Sequence, residues 1–296
     1  MRHALTVDVE DYFQVSAFAE NIDRKDWGDL PSRVVSSTKL LLSLFDERDC
    51  KATFFVLGWV AKYYPEIVRE IHARGHEIAS HGMSHRLIYE QSPEVFKQET
   101  VDSKKLLEDI IGEQVKGYRA ASYSITPQSI WALEILIDAG YEYDSSVFPV
   151  RHDRYGMVGA PLNIHRAVVG GQESLIEYPL TSAGFFGHRL PAAGGGYFRL
   201  YPYWLTEYLL KRSVKELGQP FVFYLHPWEV DPGQPRVEGA SLLSRFRHYN
   251  NLGKCLPRLD KLLGKFEFGT MAEVIEQYRS NNTLEVCDYA QFDTQT

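Results

Sequence analysis

The chain has 296 residues, 44% apolar, 24% charged and 13% aromatic, which excludes a disordered or low-complexity protein and is long enough to bury a large core. Its 32 Lys+Arg against 39 Asp+Glu give a formal charge of −7 without any basic block interleaved with aromatics, so nucleic acid is not an expected partner. No apolar run approaches the ~20 residues of a membrane span, Asp8 interrupts the start before a signal-length segment forms, and Cys50, Cys255 and Cys287 are too scattered for a disulfide scaffold or thiolate zinc site.

In chain order, strands are expected at His3–Val9, 51–57, Glu77–Ser80, 116–120 and 141–145, with helices between them near 32–48, 60–74, 93–111 and 127–139. Ser92-Pro93 and Thr126-Pro127 read as N-cap and first-turn pairs, and Gly75, Gly112 and Gly140 stand where helices should stop. A βαβα alternation implies a parallel sheet, and runs such as 52–57 and 221–225 suit strands buried on both faces. The alternation weakens over about 146–200, a long stretch rich in Gly, Pro and aromatics that holds one candidate strand at 174–178. Beyond it come a helix near 202–217, a strand at 220–225, a basic-aromatic segment at 244–249, a helix near 255–264, a short strand at 266–268 and a Thr270-capped helix to about Arg279. The polar tail from Ser280 is expected to fray. No internal repeat or separating linker is visible, so the chain reads as one domain over 1–296, its core about 3–145 and 220–279, with insertions at about 146–219 and 230–269. The cysteine usage suits a reducing compartment, and a cytoplasmic location, peripheral to the inner membrane at most, is expected.

Ionisable residues stand where the buried strands end: Asp8, Glu10 and Asp11, then His81 and His85, Arg119, Asp144 and His226. In parallel α/β folds those ends form one face, so distant residues converge there. The spacing in His81-Gly82-Met83-Ser84-His85 lets two imidazoles reach one metal, and a carboxylate from the acidic cluster would complete a site of two histidines and one carboxylate, open to water and substrate. Three carboxylates directly after Leu5-Thr6-Val7 would repel one another without a cation or an arginine nearby. Arg119, at a strand end facing them, could keep a base ionised.

These residues resemble the polysaccharide deacetylases of carbohydrate esterase family 4, the NodB-homology domain. The resemblance rests on Thr6-Val7-Asp8-Val9-Glu10-Asp11, on Ser80-His81-Gly82-Met83-Ser84-His85, on Arg119-Ala120-Ala121, on Asp144 and on Leu225-His226, in the family's order, over about 3–145 and 220–229. The segments 148–153, 194–199 and 244–250 look like the C-terminal extension of a subgroup encoded with exopolysaccharide and exosortase loci. Three departures stand out: Ala121 replaces a proline, Ser122 stands where tyrosine is usual, and Glu10 lengthens the first motif.

The resemblance implies a distorted (β/α)7 barrel of the NodB type and a divalent metal, zinc first with cobalt, nickel or iron as alternatives. Carried onto this chain, it makes His81 and His85 ligands, with Glu10 or Asp11 as the third, a lean going to Asp11 for its shorter side chain. It makes Asp8 the general base, Arg119 its orienting partner, His226 the general acid, and Asp144 a residue that tunes a histidine or binds substrate. A backbone N–H near Ser122 would serve the oxyanion; Arg151 and His152 would line the cleft, and Tyr123, Tyr197 and Trp228 would stack on sugars. The implied reaction is N-deacetylation of N-acetylhexosamines in a polysaccharide or its precursor, in exopolysaccharide biosynthesis, with partners in the synthesis machinery. Hydrolysis of a small C–N amide, as allantoinase-like relatives perform, and a catalytically inactive sugar-binding relative are the alternatives.

Overall fold

The structure is a computed structural model that describes residues 1–152, 155–171 and 174–292. Its strands are β1 (His3–Val9), β2 (Thr53–Val56), β3 (Glu77–Ser80), β4 (Gly117–Tyr118), β5 (Tyr143–Asp144) and β6 (His165–Val168) in the first half. Then come β7 (Leu175–Glu177), β8 (Ser182–Phe185), β9 (His188–Pro191), β10 (Val222–Leu225), β11 (Phe268–Gly269) and β12 (Val286–Asp288). The helices are α1 (Val34–Glu47), α2 (Gly58–Tyr63), α3 (Pro65–Ala73), α4 (Pro93–Ile111) and α5 (Trp131–Asp138), followed by α6 (Gly195–Leu200), α7 (Tyr203–Leu217), α8 (Leu242–Tyr249), α9 (Leu252–Leu263) and α10 (Met271–Asn281).

Parallel strands run in the order β10-β1-β2-β3-β4-β5-β7, which makes the α/β class and the seven-stranded, distorted barrel explicit. Closure between β7 and β10 is irregular: Thr181 Oγ1 bonds both the N–H and the carbonyl of Val222, and the Tyr224 N–H donates to the Ala193 carbonyl. Gly194, at φ 126°, lies so close to β10 that a Cβ there would collide with the Tyr224 carbonyl oxygen, so the glycine run is a packing device.

The period of two along each strand divides the core. Leu5, Val7, Val9, Phe54 and Val56 pack outward under the helices, whereas Ala4, Phe55, Ala79, Tyr143 and Tyr224 fill the interior. Full burial of each large side chain is worth about 1.5–3 kcal/mol. Thr6 and Asp8 share parity with Ala4 and belong to the interior face.

Several expectations are corrected here. The single helix over 60–74 is two helices, because Pro65 cannot continue the first and starts the second. The helix expected from 127 begins at Trp131, since Thr126 and Ser129 close a local turn instead of an N-cap. The segment 244–249 belongs to a helix from Leu242, and the frayed tail is in part β12, paired parallel with β6. The hairpin β8-β9 and strand β6 carried no strong alternation and were not anticipated. Caps at Ser92 and Thr270, and positive φ at Gly75, Gly112 and Gly140, are as expected.

Candidate active site

A cleft of about 360 Å³ opens at the C-terminal ends of β1, β3, β4 and β10. Such a volume suits a small-molecule or glycan-end site. Each functional side chain lies at or just past a strand end, where the neighbouring ladders leave it little freedom.

Glu10, His81 and His85 form a buried cluster whose ligand-type atoms all lie within 4.8 Å of one another. His81 Nδ1 is 2.8 Å from the Arg119 carbonyl oxygen. A carbonyl only accepts, so Nδ1 carries the hydrogen and Nε2 offers a lone pair to the cluster. Burial pushes the His81 imidazole down to about 4, which keeps it neutral as a ligand must be. His85 Nε2 faces Glu10 Oε2 at 2.6 Å, and Glu10 Oε2 and His85 Nδ1 have no hydrogen-bond partner among the described residues. Burial raises the Glu10 carboxyl, but His85, His226 and His81 together hold it well below the usual carboxylate range. An imidazole nitrogen and a carboxylate oxygen at that distance require a proton or a cation between them, so the donor set fits a divalent ion.

Asp11 is outside this cluster, which corrects the lean toward it. Its carboxylate accepts from the Ser32 hydroxyl at 2.6 Å and from the N–H groups of Arg33, Val34 and Tyr12. Asp11 lies past the end of β1 and instead caps the start of α1 through the Arg33 and Val34 N–H groups. Burial raises its carboxyl against these bonds.

Asp8 accepts at 2.7 Å from Arg119 Nη1 and at 3.4 Å from the Tyr123 hydroxyl. Arg119 is wholly buried; it also bonds Thr6 Oγ1 and both the carbonyl and hydroxyl of Ser145. Burial disfavours its charge, yet Asp8 more than compensates and the guanidinium is shifted upward. The fork therefore fixes the orientation of the Asp8 side chain in the cleft wall.

His226 Nε2 lies 3.9 Å from Asp8 Oδ2 and 3.6 Å from Glu10 Oε1. Its Nδ1 is 2.8 Å from Glu229 Oε1, and Glu229 is anchored in turn by Arg199. Burial pulls the imidazole down, but Glu229, Glu10 and Asp8 raise it to about 9. Glu229, despite its burial, is held at about 2 by Arg199 and His226. Glu229 was missed in the sequence although Pro227 starts a short 3-10 turn that folds residue 229 back onto residue 226. Arg199 carried no local signal, because its contacts with Glu229 and with the carbonyls of Arg247, His248 and Asn250 span 30 to 51 residues.

Asp144 does not reach the cleft or a histidine. Burial raises its carboxyl to about 6 and raises Glu177 well above the usual range. Among the described residues, Asp144 Oδ2 and Glu177 Oε2 have no ordinary donor, the arrangement of two carboxyl groups that share a proton.

Of the expected substrate contacts, Ser122, Tyr123, His152, Tyr197 and Trp228 line the cleft. Ser122 has a left-handed backbone at φ 51°, and its hydroxyl is 2.7 Å from that of Ser16. Trp228 is not an open sugar platform: it stacks on His226 and His248, and its N–H donates to Glu10 Oε1 at 3.1 Å. Arg151 is exposed and outside the cleft lining, and Asp153 lies outside the described residues.

Residues 26–143 match the polysaccharide deacetylase family, and residues 145–276 match a domain of unknown function (DUF3473). The region of the first match covers about two-fifths of the chain. It resembles a chitooligosaccharide deacetylase of Azorhizobium caulinodans, 31% identical over 34% of this chain and 46% of that one. A peptidoglycan-N-acetylglucosamine deacetylase of Bacillus cereus is 32% identical over 27% of this chain and 29% of its own length. The matched stretches thus span less than half of these relatives. A solved candidate polysaccharide deacetylase from Mycobacterium smegmatis shares the fold, with a TM-score of 0.62 at 20% identity over 96% of this chain and 92% of that one. The first matched interval contains His81, His85 and Arg119; Asp8 and Glu10 precede it, and His226, Glu229 and Arg199 fall in the second.

Proposed function

We propose that this chain is a metal-dependent deacetylase that hydrolyses the N-acetyl groups of N-acetylhexosamine residues in a polysaccharide or its precursor. The observation that carries the reading is the meeting, in one cleft, of a two-histidine, one-carboxylate cluster, an arginine-held carboxylate and a carboxylate-held histidine. Because the second half of the chain supplies the histidine and its support, 1–296 is read as one catalytic unit.

Glu10, His81 and His85 would hold the divalent ion, zinc in the first instance, which when bound supplies Lewis-acid polarisation of the acetamide carbonyl and acidifies a water. Asp8 accepts the proton of the attacking water; Arg119 aims it, and the Tyr123 hydroxyl limits its other oxygen. His226, protonated on the Nε2 that faces the cleft, gives its proton to the departing amine while Glu229 stabilises the imidazolium from Nδ1. A cation at Glu10 would remove that carboxylate's share of the upward shift and bring His226 nearer neutrality. The Ser122 backbone N–H is assigned to the developing oxyanion. Products are acetate and a free amino sugar.

The natural polymer is assigned to exopolysaccharide biosynthesis on the subgroup resemblance, with partners in that machinery. Acetate release from N-acetylglucosamine oligomers tests the reaction: Asp8→Asn and His226→Ala should each abolish turnover while leaving metal bound. Near-native activity in either variant would overturn the assignment of roles.

A further inference from the structure

Helix α8 presents Leu242, Leu243 and Phe246 at 83%, 57% and 55% exposure, and Phe246 lines the cleft together with Leu200, itself 49% exposed. At about 100° per residue, Leu242, Phe246 and Leu243 fall within one arc of about 100°, with Arg245 about 60° beyond one edge and Arg247 about 40° beyond the other. The opposite side is fixed. His248 stacks on Trp228 at 4.2 Å and packs on Phe18 at 4.7 Å, and its Nε2 is 2.6 Å from Gln234 Oε1. Arg199 clamps the carbonyls of Arg247, His248 and Asn250. A rigidly seated helix thus holds an apolar wedge between two cations at the mouth of the site.

We propose that the outer face of α8 is a docking surface for an anionic lipid bilayer, holding the cleft mouth against the membrane so that a glycan borne on that surface can enter. Leucine and phenylalanine suit insertion at the headgroup boundary, while flanking arginines reach the phosphates. The charge argues for this occupant over a second copy. Helix α8 itself carries Arg245 and Arg247, both exposed, and no acidic residue, in a chain whose net charge is −7; exposed Glu238 precedes it, and Asp260 in α9 is paired with Arg48. A twofold contact would set Arg245 and Arg247 of the two copies against one another, whereas anionic headgroups neutralise them. No ordering of the helix is needed on binding, because its inner face is already packed. Only the identity of the delivered glycan rests on the deacetylase reading; docking does not, so vesicle binding and acetate release can fail separately.

The test is co-sedimentation of the full chain with vesicles of phosphatidylcholine alone and with a quarter of it replaced by phosphatidylglycerol. Binding is expected to the anionic vesicles, weaker by about five-fold in Arg245→Gln, and lost in Leu242→Ser/Leu243→Ser. Both variants should keep the wild-type unfolding midpoint and the wild-type acetate release from soluble oligomers. Absence of binding to anionic vesicles, equal binding to neutral ones, or retained binding by the folded double serine variant would overturn the proposal. So would a concentration-dependent dimer, seen by sedimentation and abolished by the double serine variant, which would give this face to a second copy.

Discussion

Replacing Arg119 by methionine tests the electrostatic frame of the site. The side chain is fully buried, and it donates to Asp8, to Thr6 Oγ1 and to the carbonyl and hydroxyl of Ser145. Methionine fills comparable length but supplies no donor and leaves the buried Asp8 carboxylate without its cation. Removing one partner of a buried ion pair costs about 3–5 kcal/mol, much of it the penalty on the charge left behind. For a chain of this size each kcal/mol lowers the unfolding midpoint by about 2–4 °C, so a fall of roughly 6–20 °C is expected. Asp8→Asn in the same chain removes the stranded charge, and the double variant should recover at least about 2 kcal/mol relative to additivity in urea unfolding. Acetate release should be lost in all three variants, because the base is either gone or no longer held in place. Additive single effects, or an Arg119→Met protein within about 1 kcal/mol of wild type, would refute the reasoning.

The remaining predictions address the acid, the buried carboxyl pair and the metal ligand. His226 works as an acid while protonated, so activity persists below its pKa and falls above it; Glu229→Gln removes a charge-assisted bond worth about 1.5–3 kcal/mol and should move the alkaline limb of kcat down by about one to two pH units, with Glu229→Asp restoring part of it. Asp144 and Glu177 have folded-state values raised by burial, to about 6 for Asp144 and well above the usual range for Glu177, so their stabilising contribution is complete below the ordinary carboxylate range and is lost as pH climbs through 6 and higher. Glu177→Gln keeps a donor toward Asp144 and an acceptor for the Val147 N–H, and should flatten that slope in unfolding measured from pH 4 to pH 8, about the span between the two ionisation limits. Asp11→Ala should cost about 1–3 kcal/mol through the lost cap yet retain metal, whereas Glu10→Ala should lose metal, as elemental analysis of each would report.

The part of the site that was legible in the sequence is the part written in short spacings beside buried strands. Asp8 and His226 close apolar runs, His81 and Arg119 directly follow strands with His85 four residues past His81, and a parallel sheet gathers such ends on one face. The choice between Glu10 and Asp11 was not legible, because both lie past the end of β1, where the Glu10 N–H turns back onto the Asp8 carbonyl and strand parity no longer applies. Glu229 was partly legible in His226-Pro227-Trp228-Glu229. Arg199 and the Asp144–Glu177 pair were not, because their partners lie 30 or more residues away and nothing local separates a buried network member from a surface charge. In the fold, the regular βα units announced themselves, while β6 and the β8-β9 hairpin depend on tertiary pairing. Pro65 shows the converse, a local signal that overrode a continuous helical pattern.

The most direct test of the account is the metal content of the purified chain, measured by elemental analysis alongside acetate release from N-acetylglucosamine oligomers before and after chelation. One divalent ion per chain, with acetate release that chelation abolishes and added zinc or cobalt restores, is the predicted result. A well-folded chain that takes up no metal even when zinc or cobalt is supplied would contradict it.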